Sequence, residues 1–211
     1  YNQALRINPD MMGAHYKLRT EYFALGRYEE AAEACKRAIR IKPDEPTAYY
    51  DLGVACDNLG LYDEAAEAYE QAIHHKPDYL EAYLNVGITY GELGRHEDAV
   101  EAFRQAILID PEEPGAYTGL GLSYGELGRY KEAIEVCELA LQIQPDHAMA
   151  CLGLGIAYEG LGRHEQAIEA FKEAVRMDPD FAEAYLNLGM TYGGLGRYQE
   201  SIEACKQAIQ I

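Results

Sequence analysis

Pro9, Pro43, Pro77, Pro111, Pro145 and Pro179 recur every 34 residues, and Gly26, Gly60, Gly94, Gly128, Gly162 and Gly196 keep the same spacing without insertion or deletion. This fixed period limits the possible folds more than any local signal does. A unit of that size cannot bury its own apolar face, so units must stack and bury it against their neighbours. The expected product is a rod with much surface, which favours binding over buried chemistry.

Each period reads as two helices. In the unit Pro46 to Tyr79, the residues Tyr49, Leu52, Gly53 and Cys56 fall at three- and four-residue steps, one helical stripe. Asp44 is the expected N-cap, Pro46 suits the first turn, and Gly60 stops the helix by offering the left-handed conformation. A second helix follows, with Asp63 and Glu64 in its first turn and Ala65, Ala66, Tyr69, Ala72 and Ile73 as its stripe. Lys76-Pro77 ends it, because the residue before proline is pushed out of helical space.

The small residues predict close packing. Gly53, Gly87, Gly121, Gly155 and Gly189 fall in mid-helix, where each costs up to about 1 kcal/mol against alanine. Two alanine columns, Ala31 to Ala167 (ending in Ser201) and Ala38 to Ala208, have the same period. Tyr49, Tyr83, Tyr117 and Tyr185 stand opposite Tyr69, Phe103 and Phe171, so small and large residues interlock.

At these residues the chain resembles the tetratricopeptide repeat (TPR). The pattern is Tyr-x-x-Leu-Gly-x-x-Tyr, then Leu-Gly-Arg-Tyr, then Ala, Phe, Ala and Pro. The resemblance covers nearly the whole chain and implies an all-α fold, a right-handed superhelical α-solenoid of antiparallel helix pairs. Repeats are expected at 12–45, 46–79, 80–113, 114–147, 148–181 and 182–211, after a second-helix remnant at 1–11, all in one continuous domain. Departures are His15 and Cys151 at an aromatic position, Arg19 at the packing glycine, His96 and His164 at the turn tyrosine, and His75 at an aliphatic position.

The resemblance also implies a concave groove lined by the first helix of each unit, a surface that captures peptide segments of other proteins. Carried onto this chain, it selects Tyr50 with Val54, Leu84 with Ile88, Thr118 with Leu122, Leu152 with Ile156, and Leu186 with Met190. Tyr16 and Phe23 extend the stripe, and the polar members are Lys17, Asp51, Asn85 and Asn187. These residues either form a continuous apolar track or simply pack against adjacent first helices. Nine further glycines, Gly13, Gly91, Gly115, Gly119, Gly125, Gly153, Gly160, Gly193 and Gly194, fall on the same face and would widen the groove. Asp57, Glu92, Glu126 and Glu159 give the face an acidic rim. Glu81 and Glu183 are set aside as members of capping boxes with Asp78 and Asp180. The expected partner is a protein or peptide, apolar with basic flanks. The carboxylate-clamping type of TPR needs several groove lysines and arginines, and Lys17 stands alone.

Charge excludes other classes. The formal net charge is −18, with seven basic against six acidic residues in 12–45 and ten against 29 in 46–211. Nucleic acid and anionic membrane are therefore poor partners. The basic cluster Lys36, Arg37, Arg40 and Lys42 belongs at a helix C-terminus, where the dipole favours it. No run reaches the roughly 18–20 apolar residues of a membrane span, and no signal peptide pattern opens the chain. Five cysteines, Cys35, Cys56, Cys137, Cys151 and Cys205, form no CxxC pair and read as small core residues in a reducing, cytoplasmic setting. The six histidines complete no metal motif. Gly119-Leu-Gly121-Leu-Ser-Tyr-Gly125 lacks the preceding strand that a nucleotide loop needs. No catalytic site, metal or cofactor is indicated, so the chain reads as an interaction scaffold rather than an enzyme.

Two other readings stay open. The stripe Ala204, Cys205, Ala208, Ile209 and Ile211 could dock another copy end to end, making a self-assembling module without a capping helix. Alternatively the array is the adaptor region of a longer enzyme such as a glycosyltransferase.

Overall fold

The computed structural model describes residues 12–211, with side chains from Lys17 onward. The remnant expected at Tyr1–Met11 and the side chain of Tyr16 lie outside the described residues. Those residues form twelve helices and no strand. They divide into two compact units, within residues 1–109 and 110–211. The first holds α1 (Met12–Ala24), α2 (Tyr28–Ile41), α3 (Pro46–Asn58), α4 (Tyr62–His75), α5 (Leu80–Glu92) and α6 (His96–Ile109). The second holds α7 (Pro114–Glu126), α8 (Tyr130–Ile143), α9 (Ala148–Gly160), α10 (His164–Met177), α11 (Ala182–Gly194) and α12 (Tyr198–Gln210). Within each unit every helix packs against the one that follows, an all-α solenoid of helix pairs. Among the described residues no helix is long and apolar enough to cross a membrane.

The periodic residues end the helices as their chemistry requires. Gly60 closes α3 at φ +70°, and the other five glycines of its column lie between +65° and +73°. The Gly60 N–H then reaches Asp57 O at 2.9 Å and the Leu61 N–H reaches Cys56 O at 2.9 Å, satisfying carbonyls the helix leaves open. Pro43 has a second use: its carbonyl accepts the Tyr49 hydroxyl at 3.0 Å, as Pro111 does for Tyr117 at 3.2 Å.

Caps are where the structure departs from expectation. Glu45 rather than Asp44 is the N-cap of α3, and its side chain makes no capping bond. The boxes expected from Asp78 with Glu81 and Asp180 with Glu183 do not form. Tyr79 and Phe181 occupy those N-cap positions, and backbone carbonyls of Asp78, Tyr79, Asp180 and Phe181 accept the first helical N–H groups. A tight backbone turn leaves the carboxylates nothing to cap.

Glycine sets the spacing inside each hairpin. A Cβ on Gly53 would meet the Tyr69 ring at 2.5 Å, and one on Gly87 would meet Phe103 at 2.8 Å. Gly155 faces Phe171 in the same way, while Gly121 and Gly189 face the thiols of Cys137 and Cys205. The alanine columns lie at the bottom of these contacts, with Ala65, Ala99, Ala133 and Ala167 fully buried. Ala208 and Ser201, at the end of the columns, are only half-buried.

Candidate interaction surface

On the first-helix face of unit one, α1, α3 and α5 supply the expected residues, but several are already engaged. Asp51 is ion-paired with Arg19, the residue that replaces the packing glycine. Burial pushes the Asp51 carboxyl up and Arg19 opposes it. The Asn85 amide donates to the Tyr50 hydroxyl at 3.1 Å, and Tyr50 packs on the rings of Tyr69 and Tyr79 at 5.8 and 5.1 Å. In unit two Asn187 donates to Glu183 O of its own helix at 2.9 Å. Each asparagine amide thus has its nitrogen engaged within the fold. Asp57 accepts the Tyr69 hydroxyl at 2.7 Å, and Thr89 Oγ1 lies 3.0 Å from its other oxygen.

These contacts set a pH dependence. Burial, seconded by Glu92, raises the Asp57 pKa, while Tyr69 and Thr89 oppose the rise. A carboxyl raised in the folded state binds its proton more tightly there than when unfolded. Its contribution therefore favours folding on the acid side and is lost as pH rises through the folded pKa. Asp57→Asn holds that position neutral at every pH. The melting-temperature difference, variant minus wild type, should thus climb across the acid range; a difference independent of pH would exclude this role for Asp57.

The apolar members separate into two groups. Leu152 is 1 % exposed and belongs to the core with Phe171 and Leu188, and Thr118 is buried with its hydroxyl bonded to Pro114 O at 2.9 Å. These two are corrected from surface to interior, because adjacent first helices α7 and α9 pack on each other there. Tyr50, Val54, Leu84, Leu122 and Ile156 are half-buried, as is Phe23, whose ring meets Tyr28 edge-on. Ile88 and Met190, each 57 % exposed, stand open together with Leu186 and Lys17. Leu122, Ile156 and Met190 take one position on α7, α9 and α11.

The glycines divide too. Gly91 and Gly194 face open space, and a Cβ on Gly125 would only touch Ile156 at 3.9 Å. Gly153 is instead a packing residue opposite the Cys137 thiol, where a Cβ would sit at 2.9 Å, and Gly160 makes room for the Tyr130 ring. Widening therefore applies to part of the face only. At the other end of unit two, Ala204 is in the core and Cys205 packs under Gly189, so they leave the proposed self-association stripe; Ala208 is half-buried and only Ile209 and Ile211 are open.

One recurrent arrangement was not foreseen from the sequence. Arg95, Arg129 and Arg197 stack on Tyr90, Tyr124 and Tyr192 at 4.3, 4.2 and 4.5 Å and pair with Asp98, Glu132 and Glu200. Arg27 does the same with Tyr22 and Glu30. The signal was present as the arginine that follows Gly26, Gly94, Gly128 and Gly196, with an acid three residues later.

The described residues contain no group of three histidines, cysteines or acids placed to hold a metal. All five cysteines are free, and burial pushes the Cys35 and Cys137 thiols up to about 12, which suppresses the reactive thiolate. His147 Nε2 is buried without a hydrogen-bond partner, and burial lowers its pKa.

Helix pairs of 34 residues, glycine-spaced hairpins and a side-chain-lined first-helix face define a tetratricopeptide repeat protein. The family model for the Cilia and flagella-associated protein 70 C-terminal domain, a TPR domain, matches residues 7–211. The chain belongs to that family. It is similar to MamA, with 30 % identity over 78 % of this chain and 90 % of that one, at a TM-score of 0.63. A tetratricopeptide repeat protein from Parabacteroides merdae shares 20 % identity over 94 % of this chain and 79 % of its own, at 0.82. YrrB, a TPR protein with an unusual peptide-binding site, shares 20 % identity over 87 % of this chain and 94 % of its own, at 0.71. The last two establish the fold alone. No curated protein matches the chain.

Proposed function

We propose that the chain is a protein-interaction scaffold, not an enzyme, that captures an apolar peptide or amphipathic helix with basic flanks on its first-helix face. The observation that carries this reading is the row Leu122, Ile156 and Met190, none fully buried, on three first helices of one unit. Such a row is read by an apolar helix face at three- and four-residue steps. Glu126 and Glu183 remain exposed beside it, which suits basic flanking residues. YrrB supports the reading at the level of the fold, since a peptide-binding site has been built on it there. Five free cysteines suit a reducing, cytoplasmic compartment.

The test uses Leu186→Asp with Met190→Asp, both exposed and outside the packed core. The double variant should melt within a few degrees of wild type by circular dichroism. In a pull-down with mass spectrometry it should lose the partners that wild type retains. If every retained partner is unchanged, the first-helix face is not the capture surface.

A further inference from the structure

The second hairpin breaks the tyrosine–arginine pattern of its neighbours. Cys56 stands where Tyr22 and Tyr90 stand, and Leu61 stands where Arg27 and Arg95 stand. No guanidinium therefore covers this place. A cavity of about 480 Å³ opens between α2, α3 and α4. Its floor is apolar: Ala32, Leu52, Cys56, Leu61 and Ala68. Leu61 itself is left 45 % exposed. Around it stand Glu29, Glu33, Glu64 and Glu67 against the single cation Lys36, which lies 3.8 Å from Glu33. The equivalent hollow one repeat on, about 410 Å³, has another character, because Tyr90 donates to Glu70 there at 2.6 Å and Arg95 stacks on the same ring.

We infer that the Cys56–Leu61 cavity is a second docking site for a partner segment carrying one large apolar side chain beside lysine or arginine. The apolar floor selects the side chain, and burying it supplies affinity. The four carboxylates select the cation and would repel an acidic neighbour. The site owes nothing to Leu122, Ile156 or Met190, so it stands or falls separately from the capture surface proposed above.

The probe is the peptide acetyl-Lys-Lys-Leu-Phe-Lys-Lys-amide, titrated into the full chain and followed by methyl NMR of Leu52, Leu59, Leu61, Ala32 and Ala68. Saturable shifts confined to these methyls are expected. Cys56→Tyr with Leu61→Arg installs the residues that neighbouring hairpins carry and should weaken binding by about tenfold or more. Glu64→Lys with Glu67→Lys, both on the exposed side of α4, should do likewise without touching the floor. Replacing Leu-Phe in the peptide by Ala-Ala, or its lysines by glutamates, should abolish the shifts. The assignment is overturned by equal binding to the Cys56→Tyr, Leu61→Arg chain, by equal binding of the Ala-Ala peptide, or by absence of shifts. Shifts that grow with protein concentration in the absence of peptide would make a second copy of the chain the occupant, which also overturns it.

Discussion

Phe171→Ala should lower the stability of the second unit by about 3–5 kcal/mol, the range for removing a buried aromatic ring. Phe171 is 1 % exposed and fills the space left by Gly155 on the facing helix. Gly155→Ala should also destabilise, although alanine favours helix by up to about 1 kcal/mol. The added Cβ falls well inside van der Waals contact of a ring buried in the core, and overpacking of this kind costs about 1–3 kcal/mol. The two effects oppose each other in space, so they cannot add. In the Phe171→Ala background the clash is gone and Gly155→Ala should become stabilising, a reversal of sign that a double-mutant cycle measures directly. Gly91→Ala is the control: nothing lies within 4 Å of its would-be Cβ, so only the helix-propensity gain remains. Repeat arrays do not melt as one unit, so urea midpoints need native-state hydrogen exchange on α9 and α10 to locate the loss. If Gly155→Ala is destabilising by the same amount with and without the phenylalanine ring, the interlocking account fails.

That experiment addresses the part of the molecule most legible in the sequence. Mid-helix glycines and flat alanine columns are costly or featureless unless a neighbour comes close, so their period alone announced close-packed hairpins. Gly60 and Pro77 were equally readable, because left-handed backbone and pre-proline restriction are local properties. Three things were not readable, each because it depends on what faces what. Gly153 and Gly91 look alike along the chain, yet one clears the Cys137 thiol and the other faces open space. Asp78 and Glu81 have capping-box spacing, but the backbone enters α5 by a turn that satisfies its own N–H groups. Asp51 read as a groove acid, and Arg19 read as a failed glycine; their pairing explains both. Position along a helix says which face a residue shares, not how deep the neighbouring helix makes that face.

Leu152→Asp separates depth from face most sharply and should unfold the second unit. Leu152 and Leu186 hold the same position on successive first helices, α9 and α11. Leu152 is 1 % exposed, whereas Leu186 is open. Truncating a buried leucine costs about 2–5 kcal/mol through lost transfer energy and the cavity left behind. An aspartate there adds the penalty of a carboxylate in the apolar cluster of Cys151, Phe171 and Leu188. The carboxyl would escape part of that penalty by staying protonated, so the loss should be smaller at acid pH and grow as pH rises. Leu152→Asn removes the titration while keeping the shape, and its loss should be independent of pH. Hydrogen exchange across α9 to α11 should collapse in Leu152→Asp at neutral pH while α3 to α5 stay protected, and Leu186→Asp should leave both regions protected. Protection of α9 to α11 equal to wild type in Leu152→Asp would return this residue to the surface. The interface between α7 and α9 would then be loose enough to admit a ligand.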